Sequence, residues 1–196
     1  SYSIGVNIGQ NLAGQGIMGA INLDAFFEGI RDVVTGEPQL TQDQMMAALE
    51  AFQTQLMEQQ AIEVAAIQAE SEAFLAANAQ EDGVMTTDSG LQYTVIETGD
   101  ASGVSPTLND SVLAHYHGTF IDGEVFDSSV DRGEPAEFGV GQVIAGWTEA
   151  LQMMKPGDKW RLFIPSNLAY GETGSGPIGP FTALIFDVEL LQVNTQ

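Results

Sequence analysis

Apolar positions recur at helical spacing through the first third of the chain and alternate with polar ones through the last half. Ile4, Ile8 and Leu12 fall at i, i+4 and i+8, which predicts a short helix from Ser3 to about Leu12. Asn22 is a candidate N-cap for a second helix with Phe26, Phe27, Ile30, Val33 and Val34 on its apolar face, stopped by Gly36 and Pro38. Two helices this short cannot bury two adjacent phenylalanines between themselves, so they call for a partner, most simply a second copy of the chain. Thr41-Gln42-Asp43-Gln44 reads as a capping box, and neither Pro nor Gly follows until Gly83. A helix of about 40 residues would extend roughly 60 Å. Met45, Leu49, Phe52 and Leu56 give its first part a stripe that can pack on the earlier helices, whereas beyond Met57 no apolar face persists. That second part reads as a spacer arm. A coiled coil is the competing reading, but the heptad does not hold for three repeats.

After Glu81-Asp82-Gly83 the period changes from helical to alternating. Leu91, Tyr93 and Val95 mark a half-buried strand, residues 112–120 a longer one, and Asp122-Gly123 a type I′ hairpin leading into Val125-Phe126. A short helix over 146–154 is stopped by Pro156-Gly157, and strands follow over 159–164 and 183–193, the last with Leu184, Phe186, Val188 and Leu190 on one face. The expected fold is α+β: a helical region over 1–40, a connecting helix over 41–82, and over 83–196 an antiparallel sheet covered by one short helix.

Composition narrows the function classes. The 196 residues carry 27 acidic and 5 basic side chains, a net charge of −22, and the excess is spread along the chain. Such a surface has no basic patch with which to release counterions from a phosphate backbone, so nucleic acid is not an expected partner. The chain has no cysteine, hence no disulfide, no thiol nucleophile and no Cys-based metal site. No apolar run approaches the roughly 20 residues of a membrane span. Gly14-Gln15-Gly16-Ile17-Met18-Gly19 matches a dinucleotide-binding pattern, but no strand precedes it, and a turn between helices is the better reading. His115 and His117 share one strand face without a nearby third ligand, which fits surface histidines better than a metal site.

Tyr116, Phe126, Trp147, Tyr170 and Phe186 are five aromatics accompanied by one carboxylate, Asp127, and few other charges. Read alone, Val143-Ile144-Ala145-Gly146-Trp147 is ordinary core, and Asp127-Ser128-Ser129 could be only an Asx turn. Taken in order, Val125-Phe126-Asp127-Ser128-Ser129, Val143-Ile144-Ala145-Gly146-Trp147, Leu168-Ala169-Tyr170-Gly171 and the run 183–190 resemble the FK506-binding-protein family of peptidyl-prolyl isomerases over about residues 86–194. The preceding helices and the loop Gly176-Pro177-Ile178-Gly179-Pro180 are similar to its Mip branch, whose N-terminal helices form a homodimer and whose long helix holds the catalytic domains apart.

The resemblance implies specific roles. Tyr116, Phe126, Val143, Ile144, Trp147, Tyr170 and Phe186 match the apolar walls of the family's pocket, with Trp147 as its floor and Phe138 and Ile178 as further substrate contacts. Asp127 matches the pocket carboxylate and Arg132 the basic residue that holds it, itself expected among the substrate-binding residues. The Ile144 N–H and the Tyr170 hydroxyl match the donors that grip substrate carbonyls. The implied activity is Xaa-Pro rotation in unfolded or exposed segments, without metal or cofactor, in a homodimer whose arms assist folding. The alternative is a chaperone or proline-binding module with little isomerase role. Macrolides of the FK506/rapamycin type are candidate inhibitors, although Ala136, where small members carry a bulky aromatic, opens one wall. The Mip likeness points to a periplasmic or envelope location, with the cytoplasm as alternative.

Overall fold

The computed structural model describes residues 1–195 and divides into two compact units, residues 1–57 and 58–196, with the boundary inside a helix. The first unit contains helix α1 (Tyr2–Gly14), a 3₁₀ turn (Met18–Ala20), helix α2 (Leu23–Thr35) and the first part of helix α3 (Gln42–Asn78). Local chemistry sets these ends. The Asn22 side chain accepts from Ala25 N–H (3.1 Å), and Gly36 closes α2 in the left-handed region at φ +78°. The capping box is reciprocal: Gln44 N–H donates to Thr41 Oγ1 (3.3 Å), and Thr41 N–H to Gln44 Oε1 (2.9 Å). The glycine-rich segment 14–19 begins as the end of a helix and forms a turn, so it lacks the strand a phosphate cradle needs.

The second unit contains the rest of α3 and a seven-stranded antiparallel sheet in the order β1-β2-β6-β7-β3-β4, with β5 also on β3. The strands are β1 (Met85–Thr86), β2 (Gln92–Glu97), β3 (Ser111–Thr119), β4 (Val125–Ser128), β5 (Ala136–Gly139), β6 (Lys159–Ile164) and β7 (Leu184–Asn194). Burial alternates strictly along β3 and through the first eight residues of β7. One face therefore presents Val112, Ala114 and Tyr116 beside Leu184, Phe186, Val188 and Leu190. Helix α5 (Ala145–Met153) covers that face with Trp147, Ala150 and Leu151. The other face carries His115 and His117, each with Nδ1 on a serine hydroxyl, at 3.0 Å from Ser129 and 2.9 Å from Ser128.

Three expectations change. The hairpin is not type I′: φ is positive at Gly123 (+89°) but not at Asp122, and Gly123 N–H donates to the Phe120 carbonyl (3.1 Å). The turn is centred on Ile121-Asp122 with Gly123 as the left-handed residue after it, because the Asp122 carboxylate holds Glu124 N–H (2.9 Å) and needs no positive φ of its own. Asp127-Ser128-Ser129 is not an Asx turn, since Ser128 Oγ accepts from Asp131 N–H (3.1 Å) and caps a one-turn helix α4 (Ser129–Arg132). Helix α3 ends at Asn78, and beyond Met57 it does have a face. Val64, Ile67, Gln68, Ser71, Phe74, Leu75 and Asn78 are partly or fully buried at spacings of three and four. Three of the seven are polar, so hydropathy along the sequence leaves that stripe invisible.

Candidate functional site

A concavity of about 720 Å³ opens between the covered sheet face, α5 and the loop 171–182. Its base is an aromatic box. Trp147 meets Tyr116, Phe138 and Phe186 edge to face, at ring-centroid distances of 5.5, 5.4 and 5.3 Å, and Phe126 meets Phe186 in the same way at 5.4 Å. Perpendicular rings set positive edges against negative faces, which fixes each ring against the next. Two glycines allow the approach. A Cβ on Gly118 would lie 2.7 Å from Phe126 and 2.8 Å from Phe186, so the bare backbone of β3 gives both rings their seat. A Cβ on Gly146 would lie 2.6 Å from Ile164, so the first turn of α5 rests directly on β6 and brings Trp147 inward. Trp147 is 4% exposed, and its indole N–H has no hydrogen-bond partner among the described residues, as the floor of a dry site would be.

Polar groups gather at one wall. Tyr116 donates its hydroxyl to Asp127 Oδ2 (2.6 Å), Arg132 Nη2 donates to the Tyr116 oxygen (2.7 Å), and Arg132 Nη1 pairs with Asp127 Oδ1. Helix α4 makes this possible, since its single turn, closed by Gly133 at φ +78°, brings residue 132 back over residue 127. Burial works to raise the Asp127 pKa, but the bonds from Tyr116 and Arg132 outweigh it and hold the carboxyl below its usual value. Burial, then the neighbouring carboxylate, pushes the Tyr116 phenol above its usual value. At neutral pH the triad is thus an ionised acid, a neutral phenol and a cation. Its protons are already engaged with one another, which leaves no general acid or base poised near neutrality.

Among the donors of the lining that have no partner among the described residues are the Ile144 N–H and the Tyr170 hydroxyl. Ile144 is the residue before α5, and its carbonyl already accepts from Trp147 and Thr148 N–H, both at 3.0 Å. Its own N–H precedes the helix and is left over. Tyr170 is 37% exposed, where the chain leaves a 3₁₀ turn for the loop.

The expected residues Tyr116, Phe126, Asp127, Phe138, Val143, Ile144, Trp147, Tyr170, Ile178 and Phe186 all line this one cavity. Arg132 does not line it and acts from behind Asp127. Ala136 lies on β5, packed against the core rather than lining the opening. Gln142 and the tip Ser175, Gly176 and Pro177 complete the lining; sequence reasoning named no role for them and left Gly118 unnoticed. A glycine at an inward position of a strand between aromatics was the available signal for Gly118.

Comparison with known proteins gives the family. Residues 103–191 match the family model described as FKBP-type peptidyl-prolyl cis-trans isomerase, and residues 1–95 match the domain amino-terminal to it. The outer membrane protein MIP of Legionella longbeachae is 44% identical over 98% of this chain and 84% of its own length. The FKBP-type 22 kDa peptidyl-prolyl cis-trans isomerase of Escherichia coli is 45% identical over 98% of this chain and 93% of its own. The crystal structure of FkpA from Escherichia coli superposes with a TM-score of 0.83 at 36% identity, covering 99% of this chain and 92% of that one. The chain belongs to the FKBP-type peptidyl-prolyl cis-trans isomerases.

Proposed function

We propose that this isomerase turns Xaa-Pro bonds of unfolded or exposed segments inside the aromatic box, by non-covalent catalysis. Rotation breaks no bond and needs only the loss of amide resonance, over a barrier of roughly 18–20 kcal/mol. The planar amide is more charge-separated than the twisted one, so a dry aromatic cavity disfavours the ground state relative to the transition state. In this reading Tyr116, Phe126, Trp147 and Phe186 surround the proline ring, Phe138, Val143 and Ile178 contact its neighbours, and the Ile144 N–H and Tyr170 hydroxyl hold substrate carbonyls. Asp127, kept ionised by Tyr116 and Arg132, orients the reacting amide. The observation that carries the reading is the pairing of a dry floor with an engaged polar triad and the unengaged Ile144 N–H and Tyr170 hydroxyl. The test is a proline-limited peptide assay on the Asp127→Ala, Tyr170→Phe double variant. A drop in kcat/KM of about a hundredfold is expected, and a rate equal to wild type would sink the reading.

We further propose a homodimer formed through the helices of residues 1–57. The support is that no residue of this unit is buried in the single chain, with Phe27 56%, Val33 74% and Val34 82% exposed. A single-chain mass by equilibrium sedimentation at micromolar concentration would overturn it. The same apolar helices favour a folding-assistant activity of the arms beside the isomerase. If clients stay protected from aggregation after the pocket is destroyed, the chaperone activity is independent. Macrolides of the FK506/rapamycin type would occupy the same box, as competitive inhibition of the peptide assay would establish. A periplasmic or envelope location is supported by the name of the Legionella relative, an outer membrane protein. Among the described residues no helix is long and apolar enough to cross a membrane. Recovery of the protein solely in the cytoplasmic fraction would refute that location.

A further inference from the structure

The only buried residue of α3 is a serine. Ser71 is 4% exposed, on a helix whose neighbouring positions are Ala, Glu and Gln. A serine or threonine within a helix commonly returns its hydroxyl to the carbonyl four residues back, as Thr54 does to Glu50 (2.9 Å). Ser71 does something else: its Oγ accepts from the N–H of Ala183, 112 positions away, at 3.0 Å. Ala183 is fully buried and stands immediately before β7, where the ladder with β6 ends at the Ile164–Leu184 pair. Its N–H has no strand to donate to, and Ser71 supplies the acceptor.

That N–H anchors the end of the loop that forms the outer wall of the cavity. From Ala183 back to Ile178 the chain is wound tightly. Thr182 Oγ1 donates to the Gly179 carbonyl (2.9 Å), Phe181 N–H donates to the Gly171 carbonyl (2.9 Å), and Phe181 sits at φ +55°, a left-handed conformation costly for its side chain. Ile178 is locked to Ser175 by bonds in both directions, at 3.0 and 2.8 Å, and lines the cavity. Ile67, one turn before Ser71, comes within 3.9 Å of the position a Cβ on Gly179 would take. The helix touches the loop at two points, both within five residues of Ile178. It is fastened independently further along. Phe74 lies 6.0 Å from Phe163, Asn78 donates to Gln92 Oε1 (2.8 Å), and Gln92 Nε2 donates to the Leu75 carbonyl (2.9 Å).

We propose that Ser71 is a positioning residue of the isomerase site. By taking the Ala183 N–H it holds the loop 171–182 in the conformation that presents Ile178 and Tyr170 to the substrate, so that the last turns of α3 belong to the catalytic apparatus. The proposal rests on the reading of that loop as part of the substrate site. Without Ser71 a buried N–H lacks its acceptor, and the loop gains conformations in which the wall is open. Substrate then binds only the ordered fraction, which raises KM and leaves kcat unchanged once substrate is bound.

The experiment compares Ser71→Ala, Ser71→Thr, Ile67→Ala and Ile178→Ala in the full chain, measuring kcat and KM on an Xaa-Pro peptide and hydrogen exchange at the Ala183 amide. Ser71→Ala is expected to raise KM about three- to tenfold with kcat within about twofold, the scale of one unsatisfied buried amide, and to speed exchange at Ala183. Ser71→Thr keeps the hydroxyl and should restore both. Ile67→Ala, which removes no polar group, should shift KM the same way by less. If Ser71→Ala speeds exchange at Ala183 and leaves KM unchanged while Ile178→Ala raises it, the bond is structural only and the proposal is overturned. If Ile178→Ala also leaves KM unchanged, the reading of the loop falls with it. Unchanged exchange in Ser71→Ala would mean that the bond does not hold the loop.

Discussion

The two units of this chain handle apolar side chains in opposite ways. In residues 58–196 the aromatic rings meet one another inside the chain, down to Leu162, Ile164, Leu184 and Val188 at 0% exposure. In residues 1–57 the apolar faces are just as regular in sequence, yet no residue is buried, and the Phe26 and Phe27 rings meet edge to face with centroids 5.6 Å apart. A periodic apolar stripe specifies which side of an element wants to leave water. It does not specify what will cover that side. A sheet with a helix laid over it closes a core within one chain, whereas a few short helices cannot enclose a core of their own.

Several substitutions would break or sharpen this contrast. The largest effect is expected from Phe27→Glu with Val33→Glu, which places charge on the uncovered faces. Association of two copies should weaken by more than about a hundredfold, measured by sedimentation, while activity on short peptides stays unchanged because the box lies in the other unit. Next is Trp147→Leu, which removes the floor shared by three ring contacts. It should lower kcat/KM by about thirtyfold, with a smaller effect on the thermal midpoint. Retained activity would remove Trp147 from the site. Gly118→Ala should push Phe126 or Phe186 into the cavity and raise KM about tenfold, since the added methyl has no room and the rings must move. Arg132→Ala should cost only about twofold to fivefold in rate, because the pair with Asp127 is about half exposed and the Tyr116 bond remains.

The smallest expected effect is that of pH. The Asp127 pKa is held below 3.8, so its contribution to stability is fully present above that value and is lost as pH falls through the lower folded-state pKa. The Tyr116 pKa is raised above 10.0, so its contribution is fully present below that value and is lost as pH rises through the higher folded-state pKa. Between about pH 5 and 9 neither group titrates, and kcat/KM should be flat. A limb within that window would assign proton transfer to a group outside the triad.

Much of the cavity lining was legible in the sequence, but through resemblance rather than through local pattern. Phe126-Asp127 and Gly146-Trp147 read alone as a turn and as ordinary core, and only their order and spacing with Tyr170 and Phe186 single them out. The positions that escaped notice are those whose significance depends on a neighbour far along the chain. Gly118 matters because of ring atoms on residues 126 and 186. Ser128 reads as a turn residue until Asp131 N–H is seen to cap on it. Ser71 belongs to a stretch that reads as a featureless spacer.

By itself, then, the order of residues determined the helical beginning with its caps, the switch from helical to alternating period near Gly83, and the aromatic set with its single carboxylate. Those are local properties, fixed by backbone preference and by the spacing of apolar groups within an element. Tertiary structure decided where the hairpin turns, which glycines make room for rings, that Arg132 stands behind Asp127 rather than in the cavity, and that a serine within a mixed stripe on α3 is buried against the segment before β7. Each of these depends on a distance between residues remote in sequence, and such a distance exists only once the chain has folded.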